Sequence, residues 1–171
     1  MAVRNDFSSG EVLTAADLND TFAAKLDLAG GKILQIVEDL DALERSTTST
    51  SFTNVPGMQV TITPQFSDST IYVIASVYLG ITQVDTEEGR ARLRIASGGN
   101  VLVSGDTRVG WTASPGGGAI EDRLVLIGRS TPATTSPVSY DLQFSVANTN
   151  IEVRCRNNVS QGMLLALEVS A

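Results

Sequence analysis

Thr70-Ile71-Tyr72-Val73-Ile74-Ala75-Ser76-Val77-Tyr78-Leu79-Gly80-Ile81-Thr82 is the longest apolar run in the chain. Its apolar residues occupy both odd and even positions, and β-branched and aromatic types dominate. That composition reads as a strand buried on both faces rather than as a helix with one apolar stripe. Ile71, Val73, Val77 and Leu79 are the expected core positions.

Working outward, the flanking sequence has the same texture. Met58, Val60 and Ile62 alternate on one face of a strand from Met58 to Thr63, and Pro64 closes it. Arg90 to Ile95 alternates Arg with Ala, Leu and Ile. Ser97-Gly98-Gly99-Asn100 then turns into Val101-Leu102-Val103, a hairpin signal. After the loop at Pro115-Gly116-Gly117-Gly118 come four more strand segments: Leu124–Ile127, Ser139–Val146, Ile151–Cys155 and Met163–Val169. Asn148-Thr149-Asn150 is a tight turn between the middle pair. Seven to nine short strands without interleaved helices predict a mainly β protein, an antiparallel β-sandwich of jelly-roll type.

Two upstream stretches are less uniform. Ser46–Thr53 holds seven Ser or Thr in eight residues, a poor helix and a reasonable edge strand or extended connection. In residues 32–45, Ile33, Ile36, Leu40 and Leu43 keep the 3-4-3 spacing of a short coiled coil, whereas the cluster Ile33, Ile36 and Val37 suits a strand. A strand over Lys32–Val37 is expected, with Glu38–Arg45 open between helix and strand.

Residues 1–29 differ from the rest. Thr14 and Asp17 form a variant capping box, and Ala15, Leu18, Phe22 and Leu26 then follow at helical spacing. Lys25 complements the C-terminal dipole and Gly30-Gly31 ends the helix. So short a helix needs something to dock on. It packs on its own domain or serves as an attachment segment; the chain divides into that N-terminal segment, 1–29, and a β domain, 30–171.

Composition narrows the function. The 171 residues are one domain's worth, and 12 Lys+Arg against 19 Asp+Glu give a net charge of −7. So acidic a surface repels nucleic acid. With no histidine and one cysteine, Cys155, the chain builds neither a Ser-His-Asp set, nor a Cys-His pair, nor a Cys/His zinc site. No cofactor, no metal and no enzymatic activity are expected. The first residues lack a signal-peptide core and no run of 18 apolar residues occurs, so membrane insertion is not expected.

The remaining candidates each have a plainer reading beside the functional one. Asp85, Glu87 and Glu88 could hold calcium or be solvated loop charge. Arg90, Arg92 and Arg94 share one strand face, as do Arg154 and Arg156. Such arginines bind anionic sugars or phosphates, or pair with carboxylates within or between chains. Trp111 suits a sugar ring or an interface. Cys155 reads as a small buried hydrophobe.

Four stretches together resemble the short fibre proteins of tailed bacteriophages. Phe7-Ser8-Ser9-Gly10-Glu11-Val12-Leu13-Thr14-Ala15-Ala16-Asp17-Leu18-Asn19 resembles a segment near the start of many such proteins. Gly31-Lys32-Ile33-Leu34-Gln35-Ile36-Val37 resembles the opening strand of their C-terminal β domain. Thr47 to Met58 with Val60 to Pro64 resembles the second strand pair. Ser130–Thr135 before Tyr140–Phe144 resembles a late loop and strand. The chain departs from the pattern at Glu38–Arg45, which is more charged and leucine-rich.

The resemblance implies a homotrimeric structural protein of the virion. Its N-terminal segment would meet other virion proteins, with Leu18, Phe22 and Leu26 in attachment or trimerisation. Its β domain would project outward to a host-surface glycan or protein. Loops Gln83–Gly89, Thr107–Ala119 and Arg129–Val138 would carry that contact, with Trp111, Arg108 and Arg129 as receptor-binding residues. The alternative is a capsid decoration protein that stabilises the head without host contact. A polysaccharide depolymerase is a third class, which needs carboxylates in a cleft, and so short a chain leaves little room for one.

Overall fold

The computed structural model describes residues 31–83, 89–109, 119–147 and 151–171. Ten strands follow in chain order: β1 (Ile33–Asp41), β2 (Glu44–Thr47), β3 (Thr53–Ile62), β4 (Thr70–Gln83), β5 (Gly89–Ser97), β6 (Asn100–Val109), β7 (Ala119–Ser130), β8 (Val138–Val146), β9 (Ile151–Arg156) and β10 (Gly162–Val169). All pairings are antiparallel, and the described residues contain no helix.

The long apolar run is β4, and the first sheet is built around it. Along one edge β7 pairs from Ile71↔Ser130 to Thr82↔Ala119. Along the other edge two strands lie end to end: β10 from Thr70 to Ser76 and β9 from Leu79 to Gln83. Beyond them β1 pairs with β10 and β2 with β9. Thus β1/β2 form one line interrupted at Ala42-Leu43, and β9/β10 a second interrupted at 157–161. The interruptions lie side by side, joined where Asn157 Nδ2 donates to the Asp41 carboxylate at 3.0 Å. The Leu43 amide donates to the same carboxylate at 3.3 Å.

The first sheet therefore has four lines, β1/β2–β9/β10–β4–β7, and the second has β3–β8–β5–β6. Counted along the chain, that order is 1-8-3-6 over 2-7-4-5, the strand order of a jelly roll. Successive lines alternate between the sheets except at the β5–β6 hairpin, where Ser97 pairs with Asn100. The hairpin's two loop residues, Gly98 and Gly99, have φ of 55° and 87°, as a primed turn demands.

The crossings give the sandwich two unlike ends. At the near pole the chain enters and leaves: Gly31 N–H donates to Ser170 C=O at 3.2 Å and Ser170 N–H to Lys32 C=O at 2.9 Å. Connections 63–69 and 131–137 lie there too. At the far pole are the strand ends that flank 48–52, 84–88, 110–118 and 148–150. The 14 residues of β4 separate the poles by roughly 45 Å.

The core is the space between the sheets. Ile71, Val73, Val77 and Leu79 are buried as expected, facing Met58, Leu93, Leu142 and Phe144. The second face of β4 is a correction: Tyr72 is exposed, and Ile74, Ser76 and Tyr78 are only half-buried. In a two-layer sandwich that face is the outside of the protomer. The strand expected over Lys32–Val37 is present, and the stretch left open is strand too: β1 continues to Asp41 and β2 begins at Glu44. The 3-4-3 spacing is a strand's outer face broken by a bulge between Ile33 and Gln35 and by the gap at Ala42-Leu43. The count rises from seven to nine strands to ten because two lines are each split. β8 and β9 belong to different sheets, so 148–150 does not join a hairpin pair. The N-terminal helix expected over Thr14–Leu26 lies outside the described residues.

Cys155 is fully buried. Burial, with a smaller contribution from the Asp41 carboxylate, pushes its thiol up to about 12. Native protein at pH 8 should therefore resist thiol reagents until it is unfolded; rapid labelling of the folded chain would contradict this placement.

Candidate functional site

The two outer faces of the sandwich differ in chemistry. Residues directly opposite in an antiparallel pair project on the same side, so the register maps each face. Toward the near pole, three rows cross the first sheet: Ile36–Leu167–Tyr72–Arg129, Glu38–Leu165–Ile74–Ile127, and Leu40–Met163–Ser76–Val125. This patch is continuous and mostly apolar. Within it Ile36, Leu40, Val125 and Ile127 are 57%, 47%, 51% and 61% exposed, and Ile33 beside them 54%. With Tyr72 they expose on the order of 600 Å², at the top of what a monomer's largest apolar patch shows.

Toward the far pole the same face is ionic. Arg154 pairs with Glu152 at 2.6 Å and Glu44 at 3.6 Å, and Arg156 with Glu44 at 3.6 Å and with Glu121. Its hydrogen bonds from Arg154 hold the Glu152 carboxyl below its usual range. Arg156 crosses β4 at Gly80, where a Cβ would meet its Cδ at 2.9 Å. Tyr78 donates to Glu121 at 2.9 Å. These arginines are satisfied within the chain.

The outer face of the second sheet is polar. Asn54 and Gln59 donate to Asp141 at 3.1 and 2.6 Å, and Gln143 donates to Asn54 at 2.7 Å. Across β5 and β6 the face opens into a groove of about 380 Å³ that includes Phe52, Arg92, Arg94, Val101, Ser104 and Asp106. The Arg94 and Arg92 guanidinium carbons lie 4.1 and 5.5 Å from the centroid of the Phe52 ring, within cation–π range. Arg94 Nε donates to Gln143 at 2.6 Å. Arg92 donates from one terminal nitrogen to the carbonyls of Thr50, 2.8 Å, and Val146, 2.6 Å.

Of the sequence-expected receptor-binding residues, Arg108 and Arg129 fall on described strands. Trp111, the calcium candidates Asp85, Glu87 and Glu88, and Leu18, Phe22 and Leu26 lie outside the described residues. Arg108 sits on β6 opposite Arg90. Arg129 is a correction: it belongs to β7 rather than to a loop, near the near pole, with its guanidinium 3.5 Å from Thr70 Oγ1. Connection 131–137 therefore lies at the opposite pole from the strand ends at Gln83, Gly89, Val109 and Ala119. Among the described residues no three His, Cys, Asp or Glu side chains gather as a metal site. What sequence reasoning missed is Phe52; a lone aromatic in a Ser/Thr run was the available signal.

No family model matches the sequence, and no curated protein matches it. Among solved structures, the chain is similar to that of the infectious bursal disease virus Gt strain, at 11% identity over 84% of this chain and 39% of that one, TM-score 0.34. It is also similar to the infectious bursal disease virus VP2 subviral particle, at 11% identity over 80% and 37%, TM-score 0.32. A third is dimeric latent PorU from Porphyromonas gingivalis, at 9% identity over 84% and 14%, TM-score 0.35. The chain spans well under half the length of each of these chains.

Proposed function

We propose that the protein is a structural component of a tailed-bacteriophage virion, a homotrimeric fibre anchored through residues 1–29 whose β domain contacts the host surface. The observation that carries this reading is the opposition of the poles. The segment before Gly31 joins the domain at the near pole, and the strand ends that bound 48–52, 84–88, 110–118 and 148–150 lie at the far pole. An anchored domain of this layout presents its connections away from the particle, where recognition can vary without disturbing the core. The apolar patch supports association between copies, because it approaches the ~800 Å² per partner of a standard interface. No catalytic role enters the proposal.

Particles lacking the protein should adsorb poorly to host cells while keeping intact heads. Normal adsorption together with fragile heads would transfer the case to capsid decoration.

A further inference from the structure

We propose that the groove on β5 and β6 binds a carboxylate-bearing sugar unit of a surface glycan. This deepens the host-contact reading and rests on it for its biological setting.

The charge pattern is the starting point. In a chain of net charge −7, Arg45, Arg90, Arg154 and Arg156 each lie within 4 Å of a carboxylate. Arg92 and Arg94, like Arg123 and Arg129, have no carboxylate within 4 Å among the described residues. They sit two residues apart on one strand face, however, with Asp106 opposite Arg92 in register and held by Arg90. Arg92 Nε is buried with no hydrogen-bond partner. Two adjacent, partly buried cations that share one cross-strand carboxylate with Arg90 favour a further anion beside them.

The two guanidiniums are also held in place. Gln143 fixes Arg94 through Nε, which leaves its two terminal nitrogens uncommitted. The Thr50 and Val146 carbonyls fix Arg92, and Phe52 packs against both. Such preorganised forks suit a planar carboxylate.

The rest of the groove selects among anions. Asp106, held by Arg90 at 3.6 Å, accepts from hydroxyl groups and repels a compact multivalent anion. Ser104 adds a hydroxyl, and Val101, 47% exposed, offers an apolar surface to the C–H face of a ring. A volume of about 380 Å³ holds one or two sugar units. Cation, acceptor and apolar wall together describe a hydroxylated carboxylate rather than phosphate.

The test titrates the full-length protein with methyl β-glucuronide, methyl α-sialoside, methyl β-glucoside and inorganic phosphate, followed by NMR shifts of β5 and β6 amides. At least one acidic sugar should bind ten times tighter than the glucoside and than phosphate. Arg94→Met should weaken that binding at least tenfold. Val101→Asp, a change at a half-exposed residue of the groove lining, should do the same through repulsion. Equal affinity for glucoside, tighter binding of phosphate, or no response to either acidic sugar at ~50 mM, far above the millimolar range of weak sites, overturns the proposal. Host adsorption of particles carrying Arg94→Met separates the two readings. Acidic-sugar binding with indifferent adsorption defeats the host-contact role alone, whereas protein-dependent adsorption without acidic-sugar binding defeats the groove alone.

Discussion

Glu168→Ala should lower the stability of the β domain by about 3 kcal/mol, because it strips a buried carboxylate from several donors at once. Glu168 is fully buried at the near-pole end of β10. Its carboxylate accepts from the Gln35 side chain at 2.5 Å and from the amides of Gln65 and Phe66 at 2.8 and 3.4 Å. Gln35 also donates to Thr63 C=O at 2.7 Å, and Gln65 to Leu34 C=O at 3.3 Å. One carboxylate thus ties the β3–β4 crossover to the strand through which the N-terminal segment joins. Removing it leaves two backbone amides unsatisfied and loosens the pole that would bear load from an anchor. For a domain of this size the loss corresponds to roughly 6–12 °C in Tm.

The same residue sets an acid limb. Burial alone would raise the Glu168 carboxyl, but the hydrogen bonds from Gln35, Gln65 and Phe66 outweigh it and hold the group below its usual range. A carboxyl depressed in the folded state binds its proton more readily when unfolded. Its contribution is therefore complete above the unfolded value, about 4.3, and is lost as pH falls through the folded value. Melting between pH 7 and pH 3 should show a decline beginning near pH 5 that Glu168→Gln flattens. A variant with unchanged Tm at pH 7 and an unchanged acid limb would show that the crossover does not depend on this carboxylate.

Much of the fold was legible because β-strands advertise themselves locally. The Thr70–Thr82 run, the alternation at Met58–Ile62 and the Gly98-Gly99 turn each specify their own conformation through side-chain parity or positive φ. What parity does not specify is which sheet covers a face. The outer face of β4 therefore read as buried, although only its odd positions meet the second sheet. Residues 33–43 read ambiguously for a related reason: one bulge and one break convert a two-residue period into a 3-4-3 spacing that mimics a helix. The β-branched cluster Ile33, Ile36 and Val37 was the better guide. The groove was half legible. The arginine stripe on β5 is a strand pattern, but Phe52 lies forty residues upstream and meets Arg92 and Arg94 only because β8 pairs with both β3 and β5. Arg129 was misplaced because β7 extends three residues beyond its apolar segment, held by pairing with β4 that no local signal announces.

The outer face of the first sheet yields the second large prediction. If the apolar rows are the contact between copies, purified protein should scatter light as three times 18.0 kDa. Ile127→Glu combined with Ile36→Lys should reduce it to the single-chain mass. Neither side chain contacts the core, so the protomer should keep its β spectrum and its own melting transition. Each substitution removes about 100 Å² of apolar surface from a contact, about 2.5 kcal/mol, and the desolvation of a new charge adds to that. Repeated at three symmetry-related contacts, the penalty exceeds roughly 6 kcal/mol, a factor of at least 10⁴ in assembly at ~10 µM. Thr61→Lys, on the polar outer face of the second sheet, should leave the mass unchanged. That asymmetry is the discriminating result, because general surface charging would affect both faces alike. A wild-type mass of 18.0 kDa at that concentration would remove the trimer from the proposal. An unchanged trimer in the double variant would move its contacts away from β1, β10, β4 and β7.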